Sequence, residues 1–298
     1  MDFSFTEEQT LLRDTVRKFV QKAYAFDTRS KVIRSDAGWR KEVWKEMADL
    51  GLMGAAIPED NGGLGGGPVE TMIIMEEFGR ALVVEPYLQT AVINANAIRH
   101  GGTAQQKEQW LPAIAAGEAI CAFAYAEPQG RYNLADLTTT AKKSGKDFVL
   151  SGHKAVVLGA PYADYILVTA RTSGGQRDAK GVTLLAVPKN SKGITTRDYP
   201  TVDGLRASEV MFENVTVSPD FVIGEVDNAL PLVERITDEA IAALSAEAIG
   251  AMKVLNDATV EYCKTRKQFG VPIGKFQVLQ HRMVDMFKIG RASCRERV

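Results

Sequence analysis

Apolar residues near the start of the chain return at helical intervals. Leu12, Val16, Phe19 and Val20 fall on one face of a stretch running from Thr6 to Tyr24. Thr6-Glu-Glu-Gln9 has the form of a capping box, a hydroxyl at the cap and Gln three residues on. The pattern predicts helices over 39–50, closed by Gly51, and over 68–81, with Pro68 in the first turn. Two more follow over 89–100 and 103–116, parted by Gly101-Gly102 and stopped by Gly117. At Ala119 the rhythm changes. Short runs rich in β-branched residues occupy 119–125, 148–150, 155–158, 165–169, 182–187 and 209–212, separated by Gly, Ser and Pro. Their spacing predicts a small antiparallel barrel or sandwich that ends near Gly224. Helical periodicity resumes from Ala229, with an apolar stripe at Ile241, Leu244, Ala248, Met252, Leu255, Thr259 and Tyr262. Gly270 and Pro272 break it, and Phe276, Leu279, Met283 and Met286 start another stripe.

The expected fold class is therefore α+β, mainly α. Residues 1–118 form an N-terminal helical domain, 119–224 a middle β-domain and 225–287 a partial C-terminal helical domain. Residues 288–298 stand apart: the segment is basic, contains Gly290 and loses the apolar stripe. They read as a non-native tail on a truncated frame whose last helices are missing.

Composition mostly excludes. The 298 residues carry a net charge of −1 with both signs mixed, so there is no electrostatic footprint for nucleic acid. No apolar run approaches membrane-spanning length. Cys121, Cys263 and Cys294 are few and not spaced for metal, which points to a reduced, cytoplasmic protein. His100, His153 and His281 are scattered, and no metal site is expected. The glycine-rich stretch 52–67 does not fit G-x-G-x-x-G, because Pro68 stands where the third glycine belongs. A tight irregular turn is expected there.

The break after Tyr262 carries the candidate chemistry. Arg266, Lys267, Gln268 and Phe269 sit at it, and Gln277 lies three turns on. Arginine offers a planar fork of donors that suits a diphosphate. The other reading is a charged helix end, where cations are favoured and common.

The run Arg266-Lys-Gln-Phe-Gly270, then Pro272-Ile273 and Phe276-Gln277, resembles the acyl-CoA dehydrogenase family. So does Ile57-Pro-Glu-Asp60 with its following glycines, and the likeness extends from Met1 to about Met286. The resemblance implies a β-domain sandwiched by helical domains, FAD as cofactor and an acyl-CoA thioester as substrate. It implies that a carboxylate removes the α-proton while the β-hydrogen leaves as hydride to the flavin. Arg266 and Gln277, with Phe269 beside them, are expected to reach the FAD of a neighbouring subunit. Tyr125 and Ala126 occupy the family's flavin-contacting loop, and Val156, Val157 and Leu158 its flavin-covering strand. Electron-transfer flavoprotein is the implied acceptor. The implied assembly is a homotetramer, or a heterotetramer with a larger related subunit.

Departures from the family pattern are informative. Glu127-Pro128 survives in the loop, but Ala126 replaces a hydroxyl residue and the Gly-Ser-Asp that normally follows is absent. Arg131 lies there instead, a candidate for a phosphate or a solvated loop residue. In the covering strand Lys154 keeps the register, while Val156 stands for a Trp and Leu158 for a Thr. One branch of the family carries its base on the long helix, and counting back from Arg266 places Ala240 there. Glu239 is the adjacent candidate; the commoner base position lies beyond residue 298. The run from Thr265 to Phe287 most resembles a small-subunit branch that acts, with a larger partner, on the CoA thioester of a dicarboxylic acid such as pimeloyl-CoA. A non-catalytic scaffold subunit that completes its partner's FAD site is the alternative.

Overall fold

The computed structural model describes residues 4–295. Its helices are α1 (Glu7–Ala23), α2 (Phe26–Arg34), α3 (Lys41–Asp49), α4 (Pro68–Ala81), α5 (Ala95–Gly101), α6 (Ala104–Ala115), α7 (Leu230–Thr265) and α8 (Gln277–Arg295). The capping box forms as the sequence predicts. The Thr6 hydroxyl accepts from the Gln9 N–H at 3.2 Å, and Gln9 Oε1 accepts from the Thr6 N–H at 3.1 Å. A second box, Thr103 with Gln106, starts α6 and was not foreseen. Nor was α2, which buries only Val32 and so carries little periodic signal. The single helix expected over 89–100 divides into a π-helical Leu88–Asn94 and α5. That wide turn is filled by its own polar groups: Asn94 Nδ2 donates to the Gln89 carbonyl, and the Thr90 hydroxyl bonds Cys121.

Between α6 and α7 lie β1 (Cys121–Ala124), β2 (Thr140–Ser144), β3 (Asp147–Leu158), β4 (Tyr165–Arg171), β5 (Val182–Pro188), β6 (Ile194–Pro200), β7 (Arg206–Val217) and β8 (Val222–Ile223). They form one sheet in the order β6-β7-β3-β2-β4-β5-β8, with β1 pairing β4. The sheet is mixed, not purely antiparallel, because β1 runs parallel to β4 along its whole length. The two short runs at 148–150 and 155–158 are one strand. Ser151-Gly152 is not a turn but a register shift against β7, and a second shift follows Lys154. β2 and β6 were missed because their outward residues are charged or polar and carry no apolar alternation.

The chain divides into two compact units. One comprises residues 30–68 and 84–240. Its sheet encloses an apolar cluster that includes Phe148, Leu150, Ile166, Val210 and Phe212, all nearly inaccessible. A second cluster joins Ile93, Phe123, Leu137, Leu184, Val233 and Ala240. The other unit comprises residues 1–29, 69–83 and 241–298. There α4 and α7 meet backbone to backbone. A Cβ at Gly79 would lie 1.9 Å from the Glu247 carbonyl oxygen, and one at Gly250 equally close to that of Glu76, so only glycine fits either crossing. This contact reverses the expected polarity of α7. Within this unit α7 buries Ala243, Ala246, Ile249, Gly250 and Cys263, whereas Ile241, Leu244, Leu255 and Tyr262 of the predicted stripe are exposed. Small residues won the interior because they permit the closer approach. Arg17 grips the buried Glu77 of α4 through both carboxylate oxygens, at 2.6 and 3.1 Å.

The break after α7 is tighter than a kink. Lys267–Gln268 and Val271–Pro272 pair as strands β9 and β10. Phe269 (φ 51°) and Gly270 (φ 77°) form the two-residue loop, both left-handed as this hairpin turn demands. After it α8 runs helical through Lys288 and Gly290 to Arg295, so no break marks the expected tail; 296–298 lie outside the described residues.

Candidate functional site

The candidate residues fall into two groups, one in each unit. The first surrounds the end of β1 and the second half of β3. Tyr125 follows β1, its ring stacked on Phe123 at 5.2 Å between centroids and 41% exposed. The Ala155 N–H donates to the Ala126 carbonyl at 2.9 Å, which ties the Tyr125–Ala126 turn to β3. Just beyond this bond β3 carries an extra residue: Lys154 pairs Val210 and Val157 pairs Ser208, three steps against two. Val156 occupies the bulge at φ 52° and is 52% exposed. A β-branched residue in that region is strained. Val157 is 1% exposed and turns its side chain into the core, so of the expected flavin contacts it retains only its backbone. Leu158 is half-buried.

Beneath the bulge is a pair that reading the sequence did not single out. Lys154 and Glu127 have fully buried side chains, with Nζ 2.8 Å from Oε1. Lys154 also donates to the Thr169 hydroxyl at 3.0 Å and to the Tyr125 carbonyl at 3.3 Å. Glu127 accepts from the Thr138 N–H (2.7 Å) and hydroxyl (2.5 Å), the Thr139 N–H (3.1 Å) and Gln129 Nε2 (2.9 Å). Burial alone would raise the Glu127 carboxyl, but the Lys154 charge and these donors hold it well below the usual carboxylate range. Burial lowers Lys154, opposed by Glu127. The signal was present: of two altered motifs 27 residues apart, these were the positions retained.

On the outer side of the bulge Glu209 accepts from the Tyr199 hydroxyl at 3.0 Å, with His153 Nε2 at 2.6 Å. Burial would raise its carboxyl, yet these donors keep it low.

The second group lies at the α7–α8 elbow. Arg266, Phe269 and Gln277 are all exposed, Phe269 by 91%. The Arg266 carbonyl accepts from the Ile273 N–H at 2.8 Å, which closes the hairpin back onto the end of α7. Among the described residues its guanidinium makes no ion pair.

Neither base candidate is poised as one. Ala240 is packed in the cluster with Ile93 and Phe123. Glu239 is engaged by an imidazole and two arginines: His100 Nε2 at 2.9 Å, Arg235 at 3.5 Å and Arg99 at 3.9 Å. Burial depresses His100 despite that carboxylate. The glycine loop is a tight turn as expected. The N–H groups of Gly62, Gly63, Leu64, Gly65 and Gly66 all donate to carbonyls within residues 54–59, leaving none to cradle a phosphate. Arg131 sits exposed on a turn at φ 49°. No His/Cys/Asp/Glu group among the described residues is placed to hold a metal, and no described helix is long and apolar enough to cross a membrane.

The first group suits a flavin ring only weakly in its chemistry. Tyr125 and Val156 are exposed apolar groups flanking one backbone hydrogen bond, on a bulge held at a strained angle. The flat aromatic contact and the hydroxyl donor that the resemblance leads one to expect are replaced by aliphatic groups, which supply neither. The elbow supplies what a diphosphate needs, a guanidinium that makes no ion pair among the described residues.

Comparison with known proteins agrees along the chain. Residues 6–118 match the family description "Acyl-CoA dehydrogenase, N-terminal domain", 122–215 the middle domain and 233–291 the C-terminal domain. A probable acyl-CoA dehydrogenase of Bacillus subtilis, YngJ, is 30% identical over 96% of this chain and 76% of its own length. Mitochondrial isovaleryl-CoA dehydrogenase of Pongo abelii is 31% identical over 95% of this chain and 68% of its own. The structure of butyryl-CoA dehydrogenase from Megasphaera elsdenii superposes with a TM-score of 0.90 at 26% identity, over 98% of this chain and 77% of that one.

Proposed function

The chain belongs to the acyl-CoA dehydrogenase family, and from that premise we propose that it serves as one subunit of an enzyme that desaturates a dicarboxyl-CoA such as pimeloyl-CoA. The family consists of FAD-dependent oxidoreductases. Bound FAD supplies the hydride acceptor for oxidation of the acyl chain between its α- and β-carbons.

In this reading the chain's residues take the following parts. Arg266 binds the diphosphate of a neighbouring subunit's FAD, and the Gln277 amide donates beside it. Phe269, almost wholly exposed at the hairpin tip, covers apolar surface of the same ligand. Tyr125, Ala126, Val156 and Leu158, with the Val157 backbone, shape the face that meets the ring. Neither candidate on α7 takes the α-proton in this reading: Ala240 has no acid group, and Glu239 Oε1 is engaged by His100 and two arginines. The observation that carries the reading is the exposed Arg266–Phe269–Gln277 elbow, an arrangement with no evident use inside its own chain. The assembly is a homotetramer or a heterotetramer with a larger subunit, it works in the cytoplasm, and electron-transfer flavoprotein is the acceptor.

A second reading rests on Val156, Leu158 and Ala240. Three altered positions at the ring and base favour a scaffold subunit that completes its partner's FAD site without catalysing anything itself. Visible flavin absorbance of the protein, purified alone and co-expressed with a larger acyl-CoA dehydrogenase chain, separates the two. Flavin held by this chain alone and reduced by pimeloyl-CoA eliminates the scaffold. Flavin found only in the co-expressed complex supports it, and flavin in neither contradicts both.

A further inference from the structure

We propose that Lys154 and Glu127 are positioning residues: their buried contact locks the Tyr125–Ala126 turn against the strained Val156 bulge and so fixes the surface offered to the flavin ring. The proposal rests on the flavin reading above, but the lock itself is a property of this chain.

Geometry carries the argument. All three ammonium donors are used, and they reach two separate segments: the turn after β1, at Tyr125 and Glu127, and strand β4 at Thr169. The carboxylate draws in a third, the backbone of Thr138 and Thr139 before β2. One residue after Lys154 the strand bonds Ala126, and the next is Val156 at φ 52°. A β-branched residue stays left-handed only where its surroundings over-determine it. Here the inner side is held by Lys154 and the outer by Glu209, which ties His153 of the same strand to Tyr199 of β6. A buried ion pair is a poor device for stability alone, since well-packed neutral groups commonly serve as well or better. Its advantage is that it admits one geometry, and the geometry it admits here is that of an exposed surface lying directly above.

The test uses the whole chain with two variants. Lys154→Met removes the cation and leaves a buried carboxylate, so it is expected to unfold readily. The paired variant Glu127→Gln with Lys154→Met leaves neither charge exposed to the other's loss, and is expected to keep a cooperative unfolding transition. Two quantities are read on the paired variant. The first is amide exchange without flavin, expected to rise about tenfold or more in 125–127 and 154–158 but not in β4 or β5. The second is FAD affinity by titration, expected to weaken about tenfold with an altered visible band shape, because the ring meets a misplaced surface. Unchanged exchange in those segments overturns the proposal, as does FAD bound with the original affinity and spectrum. A paired variant that no longer unfolds cooperatively assigns the pair to stability and overturns it too. Wild-type protein that takes up no FAD contradicts the flavin reading instead, and the exchange comparison then decides the lock by itself.

Discussion

The two candidate regions differ in what they keep. At the α7–α8 elbow the family's residues are retained, yet they are exposed and little constrained by their own chain. At the β3 bulge two of the expected contacts are replaced, yet the backbone beneath is tied by a buried ion pair and a saturated set of hydrogen bonds. A residue whose partner is another molecule can be kept without any internal reason. A residue that merely faces a ligand can drift while the scaffold under it stays.

That contrast is open to direct attack. Lys154→Met should cost about 3–5 kcal/mol of unfolding free energy by chemical denaturation, because it leaves Glu127 charged in the interior. Arg266→Ala, exposed and unpaired, should change the same quantity by less than about 0.5 kcal/mol. Equal losses would erase the distinction between the regions.

The next effect is on pH dependence and belongs to the bulge's unit. Glu85 is 5% exposed and its Oε2 has no hydrogen-bond partner, while Oε1 accepts a long bond from the Arg40 N–H at 3.3 Å. Burial raises its carboxyl to about 7. A folded value above the unfolded one contributes stability below pH 4.5, lost as pH rises through 7. Glu85→Gln should therefore flatten the fall in melting temperature between those values and stabilise the protein at pH 8 by about 3 kcal/mol at most. A variant whose pH profile parallels the wild type would refute this.

Smaller effects concern the bulge surface itself. Restoring an aromatic face and a hydroxyl with Val156→Trp and Leu158→Thr should tighten FAD about tenfold, the worth of one stacked ring and one hydrogen bond. Weaker binding would mean that the aliphatic pair is matched to its ligand. Val156→Gly should raise stability by about 0.5–1 kcal/mol, relief of left-handed strain less the added freedom of the unfolded chain. A loss would show the valine packed more usefully than its exposure implies.

Much of the architecture was legible because it was written in local signals. The Thr6–Gln9 box, Pro68 and the Gly117 stop each act within a few residues, and the elements there begin and end where expected. What failed depended on partners distant in sequence. The seam of α7 was assigned to its large residues, but Gly79 lets small ones approach, and no property of α7 alone announces that. Gly152 looked like a turn and is a register shift, visible only once β7 is alongside. The elbow's residues were found through their resemblance to a motif, and its hairpin through none, since Phe269 at positive φ contradicts its own preference. The Lys154–Glu127 pair escaped because each half was read as a survivor of a separate motif.

The central claim is that the elbow grips a flavin nucleotide. It is tested most directly by titrating FAD into the assembled wild-type protein and into Arg266→Ala/Gln277→Ala, with unfolding followed in parallel. The account predicts unchanged stability and FAD binding weaker by about a hundredfold or more, two charge-assisted or polar contacts being lost. Equal affinity in the two proteins would contradict it.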